Sequence, residues 1–143
     1  MTMPIPSEDR SAPSRDWGAY LSQFEWDHVL HLTSETPTTP RRLVRLFLDR
    51  FVRRAAFRAR RPVPYFYAVE SNVSGHPHLH ALVAGSAHLT VRQLAQRWEA
   101  GFSRILVYDA TKGAAFYVSK SLLDGCDDYD VSRRIPPRRR QTF

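Results

Sequence analysis

Cysteine is almost absent: Cys126 is the only one in 143 residues. An internal disulfide and a multi-cysteine zinc site are therefore excluded, and the chain suits a reducing cytosol. No stretch approaches the ~18 consecutive apolar residues that a membrane helix needs. Met1–Arg10 also lacks the apolar segment of a secretory signal, so a cytoplasmic protein with no membrane partner is expected. No GxxxxGK[ST] run occurs, which removes ATPase and helicase engines. Lysine is scarce, with Lys112 and Lys120 the only two among 21 basic residues. Acids are in the minority, 14 against those 21, leaving a net charge of +7. Such a surface attracts polyanions, nucleic acid first and acidic membrane second. With 43% hydrophobic and 24% charged residues the chain is globular, of a size for one core.

Residues 1–20 carry Pro4, Pro6, Pro13 and several serines, and read as a flexible arm that Trp17 and Tyr20 would dock. The alternation of Trp26, His28, Leu30 and Leu32 with Asp27, Val29, His31 and Thr33 predicts a strand over 24–33. Thr36 to Pro40 form a capped turn into a helix ending near Arg58, whose apolar stripe is Leu43, Phe47, Phe51 and Ala55. Arg41, Arg42, Arg45, Arg53 and Arg54 lie off that stripe. Residues 64–71 and 77–83 read as a hairpin around Val73-Ser74-Gly75. A helix capped by Thr90, a strand over 103–108 and a helix over 114–123 follow, and an Arg-rich tail occupies 125–143. The order is β-α-β-β-α-β-α. It predicts an α+β fold, a ferredoxin-like or RRM-like antiparallel sheet with helices on one face and the other face open, spanning residues 21–124.

Chemistry concentrates first in His76-Pro77-His78-Leu79-His80. Strand side chains two apart share a face, so His78 and His80 project together while Leu79 points to the helices. Two adjacent imidazoles suit a divalent metal; the plainer alternative is a surface histidine cluster. A three-residue hairpin turn sets Glu70 opposite His78 and Ala68 opposite His80. The Glu70 carboxylate then joins the pair, a set able to hold Mn²⁺ or Mg²⁺ with open positions. A one-residue slip would turn Glu70 away, to serve only as a solvated strand end. His76 shares the parity of His78 but stays outside this set.

The second constellation is Tyr117-Val118-Ser119-Lys120. Residues i and i+3 are neighbours on a helix, so the Tyr117 phenol and the Lys120 ammonium can act on one group. A phenol with a pKa of about 10 needs nearby positive charge to serve as a nucleophile at neutral pH. Otherwise Tyr117 is a half-buried aromatic and Lys120 a solvated residue.

The segment HPHLHALV, Glu70 eight residues before His78, YVSK on a later helix, and HVLHLTSETP with its Leu32-Thr33 strand end together resemble the HUH endonucleases. More narrowly, residues 24–123 resemble the single-tyrosine rolling-circle replication initiators (Rep proteins) of plasmids and small phages or viruses. His31 departs from the plain apolar or small residue usual in the first motif. The resemblance implies strand-specific nicking of single-stranded or hairpin origin DNA in a prokaryotic host. Glu70, His78 and His80 would hold Mn²⁺ or Mg²⁺, Tyr117 would form a 5′-phosphotyrosine, and Lys120 would offset charge. DNA would be held by Arg41, Arg42, Arg45, Arg53, Arg54 and Thr33, with a host helicase and polymerase as further partners and a monomer or dimer as the working form. Three competing readings remain: an HUH transposase or relaxase, an RRM-like binding module without catalysis, and a metal-dependent hydrolase with no covalent intermediate.

Overall fold

A computed structural model of the chain describes residues 14–71, 76–119, 126–132 and 135–138. Its centre is a five-stranded antiparallel sheet in the spatial order β4-β1-β3-β2-β5. The strands are β1 His28–Thr33, β2 Tyr65–Glu70, β3 His78–Val83, β4 Ser103–Val107 and β5 Cys126–Val131. The helices are α1 Ser14–Ser22, α2 Pro40–Leu46, α3 Arg53–Ala59, α4 Val91–Gln96 and α5 Ala114–Ser119. The first four strands and the helices between them keep the expected ferredoxin-like order, and the fold is α+β. Among the described residues no helix is long and apolar enough to cross a membrane.

Strand parity divides the core in two. Leu30, Leu32, Val69, Leu79, Ala81 and Ile105 point to one face and pack under α2, α3 and α4. Phe66, Ala68 and Leu82 point to the other and pack under α1 and α5. Thr39 starts α2 by accepting the Arg42 N–H at 3.2 Å, with Pro40 pre-set at the first helical position. A capping box between Thr90 and Gln93 starts α4. Between α2 and α3 the helix runs on through a π-helical stretch, Phe47–Val52. At 3.6 residues per turn, each four-residue step along a stripe overshoots by about 40°. The wider π turn takes up this drift, so Leu43, Phe47, Phe51 and Ala55 all reach 0% exposure.

Three expectations are corrected. The second sheet face is not open throughout, because α1 and α5 cover part of it. Residues 14–22, read as part of an arm, form α1, since Trp17, Tyr20 and Leu21 make an apolar stripe that needs a partner. Trp17 meets Phe66 and Tyr129 with ring centroids 5.7 and 5.5 Å apart. Cys126–Val131, read as the start of the tail, is the fifth strand. Tyr129 and Val131 pack inward on the α1 side, while Asp128 accepts from the Tyr67 hydroxyl at 3.4 Å on the other. Its acids sit on a sheet edge, where charge discourages pairing with other chains. Tyr67 and Trp26 are core residues, at 4% and 3% exposure.

The end of β1 is pinned from the α4–β4 loop. Thr33 N–H donates to Phe102 O at 3.0 Å, Glu35 N–H to Ala100 O at 2.8 Å, and the Trp98 indole N–H to Thr33 O at 2.9 Å. Gly101 lies so close beneath this strand end that a Cβ would run into the Thr33 carbonyl oxygen and the Glu35 nitrogen. Both are backbone atoms, which cannot swing aside. Gly101→Ala therefore costs about 2 kcal/mol or more, read as a lower midpoint in urea unfolding followed by circular dichroism. An unchanged midpoint would show that the strand end is not clamped as described.

Candidate functional site

The hairpin register is the one derived from the turn length: Ala68 pairs with His80 and Glu70 with His78. His78, His80 and Glu70 consequently share the face that carries α1 and α5. The pairing of β1 with β3 adds what the sequence did not disclose. His31 stands opposite His80, and Thr33 opposite His78. The His31 ring stacks on His80 with centroids 4.4 Å apart, and its Nε2 shares a proton with His78 Nδ1 across 3.0 Å. The result is a row of three imidazoles. His76 lies at its end, with Nδ1 3.4 Å from the Ser34 carbonyl oxygen.

Burial disfavours charge on these rings, and they disfavour it on each other. His31 is pushed down to about 4, first by burial and then by His80, His78 and Arg104, with Glu70 opposing. His80, 8% exposed, is lowered by burial, with Glu70 pulling it back up. Glu70 thus acts electrostatically on both rings. Two imidazoles and a carboxylate on one face are a fitting donor set for a hard or borderline divalent ion. Among the described residues no group of three His, Cys, Asp or Glu side chains is already converged for an ion. Ion capture by His78 must therefore exchange its bond with His31 for one to the metal.

Tyr117 comes to the same place from α5. Asp109 caps the short 3₁₀ turn 110–112 by accepting from Thr111 N–H at 2.9 Å and from its hydroxyl at 2.7 Å. Those two bonds hold the exposed Asp109 carboxyl below its usual range. Gly113 then takes φ 67°, a left-handed turn that a side chain disfavours, and redirects the chain into α5. Ala115 and Val118 anchor α5 in the apolar cluster, which leaves Tyr117 outward at 65% exposure. Its ring stands edge-on to His80, centroids 6.1 Å apart.

A cleft of about 440 Å³ opens beside this pair, with His31, His80, Arg104, Asp109, Lys112 and Tyr117 in its wall. Arg104 reaches it because β4 pairs with β1 and sets Arg104 opposite His31. His31, Arg104 and Lys112 are the site residues that sequence reasoning missed. Lys112 did carry a signal, as one of only two lysines. The expected partner of Tyr117, Lys120, lies outside the described residues. Thr33 belongs to the site's face, but Arg41, Arg42, Arg45, Arg53 and Arg54 do not. They are exposed on the helix layer over the opposite face of the sheet.

Because the fold holds His31 neutral, its stabilisation is complete above the unfolded value of about 6.5. It is lost progressively as pH falls from there toward 4. In chelator-treated protein, the His31 ring signals in a ¹⁵N-edited NMR titration stay neutral at pH 5.5, and the melting temperature declines below pH 6.5. A His31 midpoint near 6.5 would contradict the packed imidazole row.

No curated protein and no solved structure matches the chain. A family model described as replication-associated protein ORF2 does match, over residues 28–124, a span from the first residue of β1 to beyond α5. The protein thus belongs to the replication-associated ORF2 family, which places it in DNA replication.

Proposed function

We propose that the chain nicks and rejoins single-stranded DNA at a replication origin through a covalent link to Tyr117. The observation that carries the reading is the meeting of an exposed phenol with a buried imidazole row across one cleft, 6.1 Å between ring centroids. The family's role in replication and the likeness to HUH initiators point the same way. His78, His80 and Glu70 would hold Mn²⁺ or Mg²⁺, which when bound supplies Lewis-acid polarisation of a phosphate oxygen.

The remaining work falls to the protein's own groups. Arg104 and Lys112 line the cleft and bring positive charge to a bound phosphodiester, favouring both its binding and the extra charge of the transition state. Thr33, at the end of β1, borders the same face. Tyr117 Oη forms a bond to phosphorus in line with the departing O3′, and the phenol proton passes to solvent at its exposed edge. The P–O3′ bond breaks, O3′ takes up a proton, and the products are a 5′-phosphotyrosine and a free 3′-OH. The diester bond energy stays in the tyrosyl link, so a 3′-OH attacking the same phosphorus rejoins the strand without ATP. Lys120 would offset charge on the phenolate, as the resemblance implies. His31, kept neutral by its surroundings, positions His78 and His80.

Incubating the protein with Mn²⁺ and an end-labelled pool of random single-stranded oligonucleotides tests the reading whatever the origin sequence is. Denaturing electrophoresis is expected to show a slowly migrating protein–DNA adduct, reduced at least about 1,000-fold by Tyr117→Phe. Cleavage that persists in Tyr117→Phe with no adduct would favour a hydrolase, and DNA binding with neither would leave a binding module. Ion binding has its own readout, because a ligand for the native state raises the melting temperature. Millimolar Mn²⁺ raises it for the wild type and not for the His78→Ala, His80→Ala double variant. Equal shifts in both would remove the metal site.

A further inference from the structure

The helix layer on the far side of the sheet carries a feature that the cleavage cleft does not use. Phe57, on the outer face of α3, is 84% exposed, the most exposed large apolar side chain among the described residues. It lies in a groove of about 540 Å³ between α3 and the end of α4, walled by Arg53, Arg54, Arg58, Gln96 and Arg97. Nothing in the hydrophobic core requires a phenyl ring there, since the π-helical stretch keeps the apolar stripe of this helix inward. Four guanidinium groups around one ring are mutually repulsive. Arg97 is tied to Gln93 O at 2.7 Å, and burial followed by the charges of Arg58 and Arg54 lowers its proton affinity. Asp49 pairs with Arg53 at 3.4 Å, an exposed contact of little strength. The groove is cationic and apolar together.

Those two properties select an occupant. Single-stranded nucleic acid presents phosphates at a spacing that cations track, and unpaired bases that stack on an exposed aromatic. In a duplex the base faces are covered, and an acidic peptide offers charge without a ring to stack. We propose that the α3–α4 groove is a second single-stranded nucleic-acid site, with a base stacked on Phe57 and flanking phosphates on Arg54, Arg58 and Arg97. The sheet separates it from Tyr117, so a strand bound here is held apart from the cleft. The inference stands independently of the nicking reading, because it uses none of the same side chains.

The test is fluorescence anisotropy of the full chain with fluorescein-labelled oligo-dT of about 20 nucleotides, at several salt concentrations. Phe57→Ala is expected to raise Kd about five- to tenfold or more, in line with the loss of one stacked base. Arg58→Ala with Arg97→Ala is expected to weaken binding and lower the salt slope by about one to two. Phe57→Trp restores the affinity, and its added indole emission is quenched by oligo-dT. Phe57 is exposed, so an unchanged melting temperature certifies each variant as folded. An unchanged Kd in Phe57→Ala overturns the proposal. So does tighter binding of a duplex of equal length, or quenching of the Phe57→Trp emission by a poly-glutamate peptide and not by oligo-dT. The His78→Ala, His80→Ala variant must retain the Phe57-dependent binding, which separates failure of this site from failure of the cleavage cleft.

Discussion

Strand register is the constraint on which the rest depends. With β2 and β3 paired so that Glu70 faces His78, and β1 and β3 so that His31 faces His80, four titratable side chains fall on one face. A slip of one residue in either pairing would send one strand's contribution into the leucine-rich core under α2 and α3. That cannot happen cheaply: Leu30, Leu32, Leu79 and Val69 would surface at the same time, each losing a burial worth about 1.5–3 kcal/mol. The hydrophobic pattern therefore fixes the polar one. Thr33 and its clamp through Phe102, Ala100 and Trp98 hold the end of β1 against fraying, where the imidazole row begins.

The second face solves a different problem. A chemical site needs an accessible group beside buried ones, and here one short helix does both. Ala115 and Val118 seat α5 among Trp17, Tyr20 and Leu82, while Tyr117 is left outside, next to His80. The aromatic cluster of α1 is thus the support that holds α5, and edge-to-face pairs such as Trp17–Tyr20 and Phe24–Trp26 add about 0.5–1.5 kcal/mol each beyond burial. Half of the sheet face is given up to this support and half kept for the cleft. Cationic groups are likewise split, with Arg104 and Lys112 at the cleft and the arginines of α2 and α3 behind the sheet.

Much of this was legible in the amino-acid order, and the remainder has physical reasons. Period-two and period-four apolar spacing located β1 to β4 and the long helix, and the turn length alone placed Glu70 against His78. Those are local features. His31 escaped because its partner is 47 residues away, and no local pattern says that β1 lies next to β3 rather than at an edge. Its place outside the usual motif pattern was visible, but its packing was not. The fifth strand escaped because Asp127, Asp128 and Asp130 resemble a solvated turn, and only a neighbour such as β2 makes Tyr129 and Val131 inward residues. Prolines upstream of Trp17 masked a helix whose stripe, Trp17, Tyr20 and Leu21, had the right spacing.

The central claim is that the phenol over the imidazole row is the group that takes the phosphoryl bond. Peptide mapping of a DNA-linked protein by mass spectrometry examines it at a single residue. Trypsin cuts after Lys112 and Lys120, so Tyr117 is the only tyrosine in its peptide, Gly113–Lys120. After nuclease trimming, the account predicts a nucleotide phosphate on that peptide, localised to Tyr117 by fragmentation. A nucleotide found on Tyr65, Tyr108, Tyr129 or a serine, with Gly113–Lys120 unmodified, would contradict it.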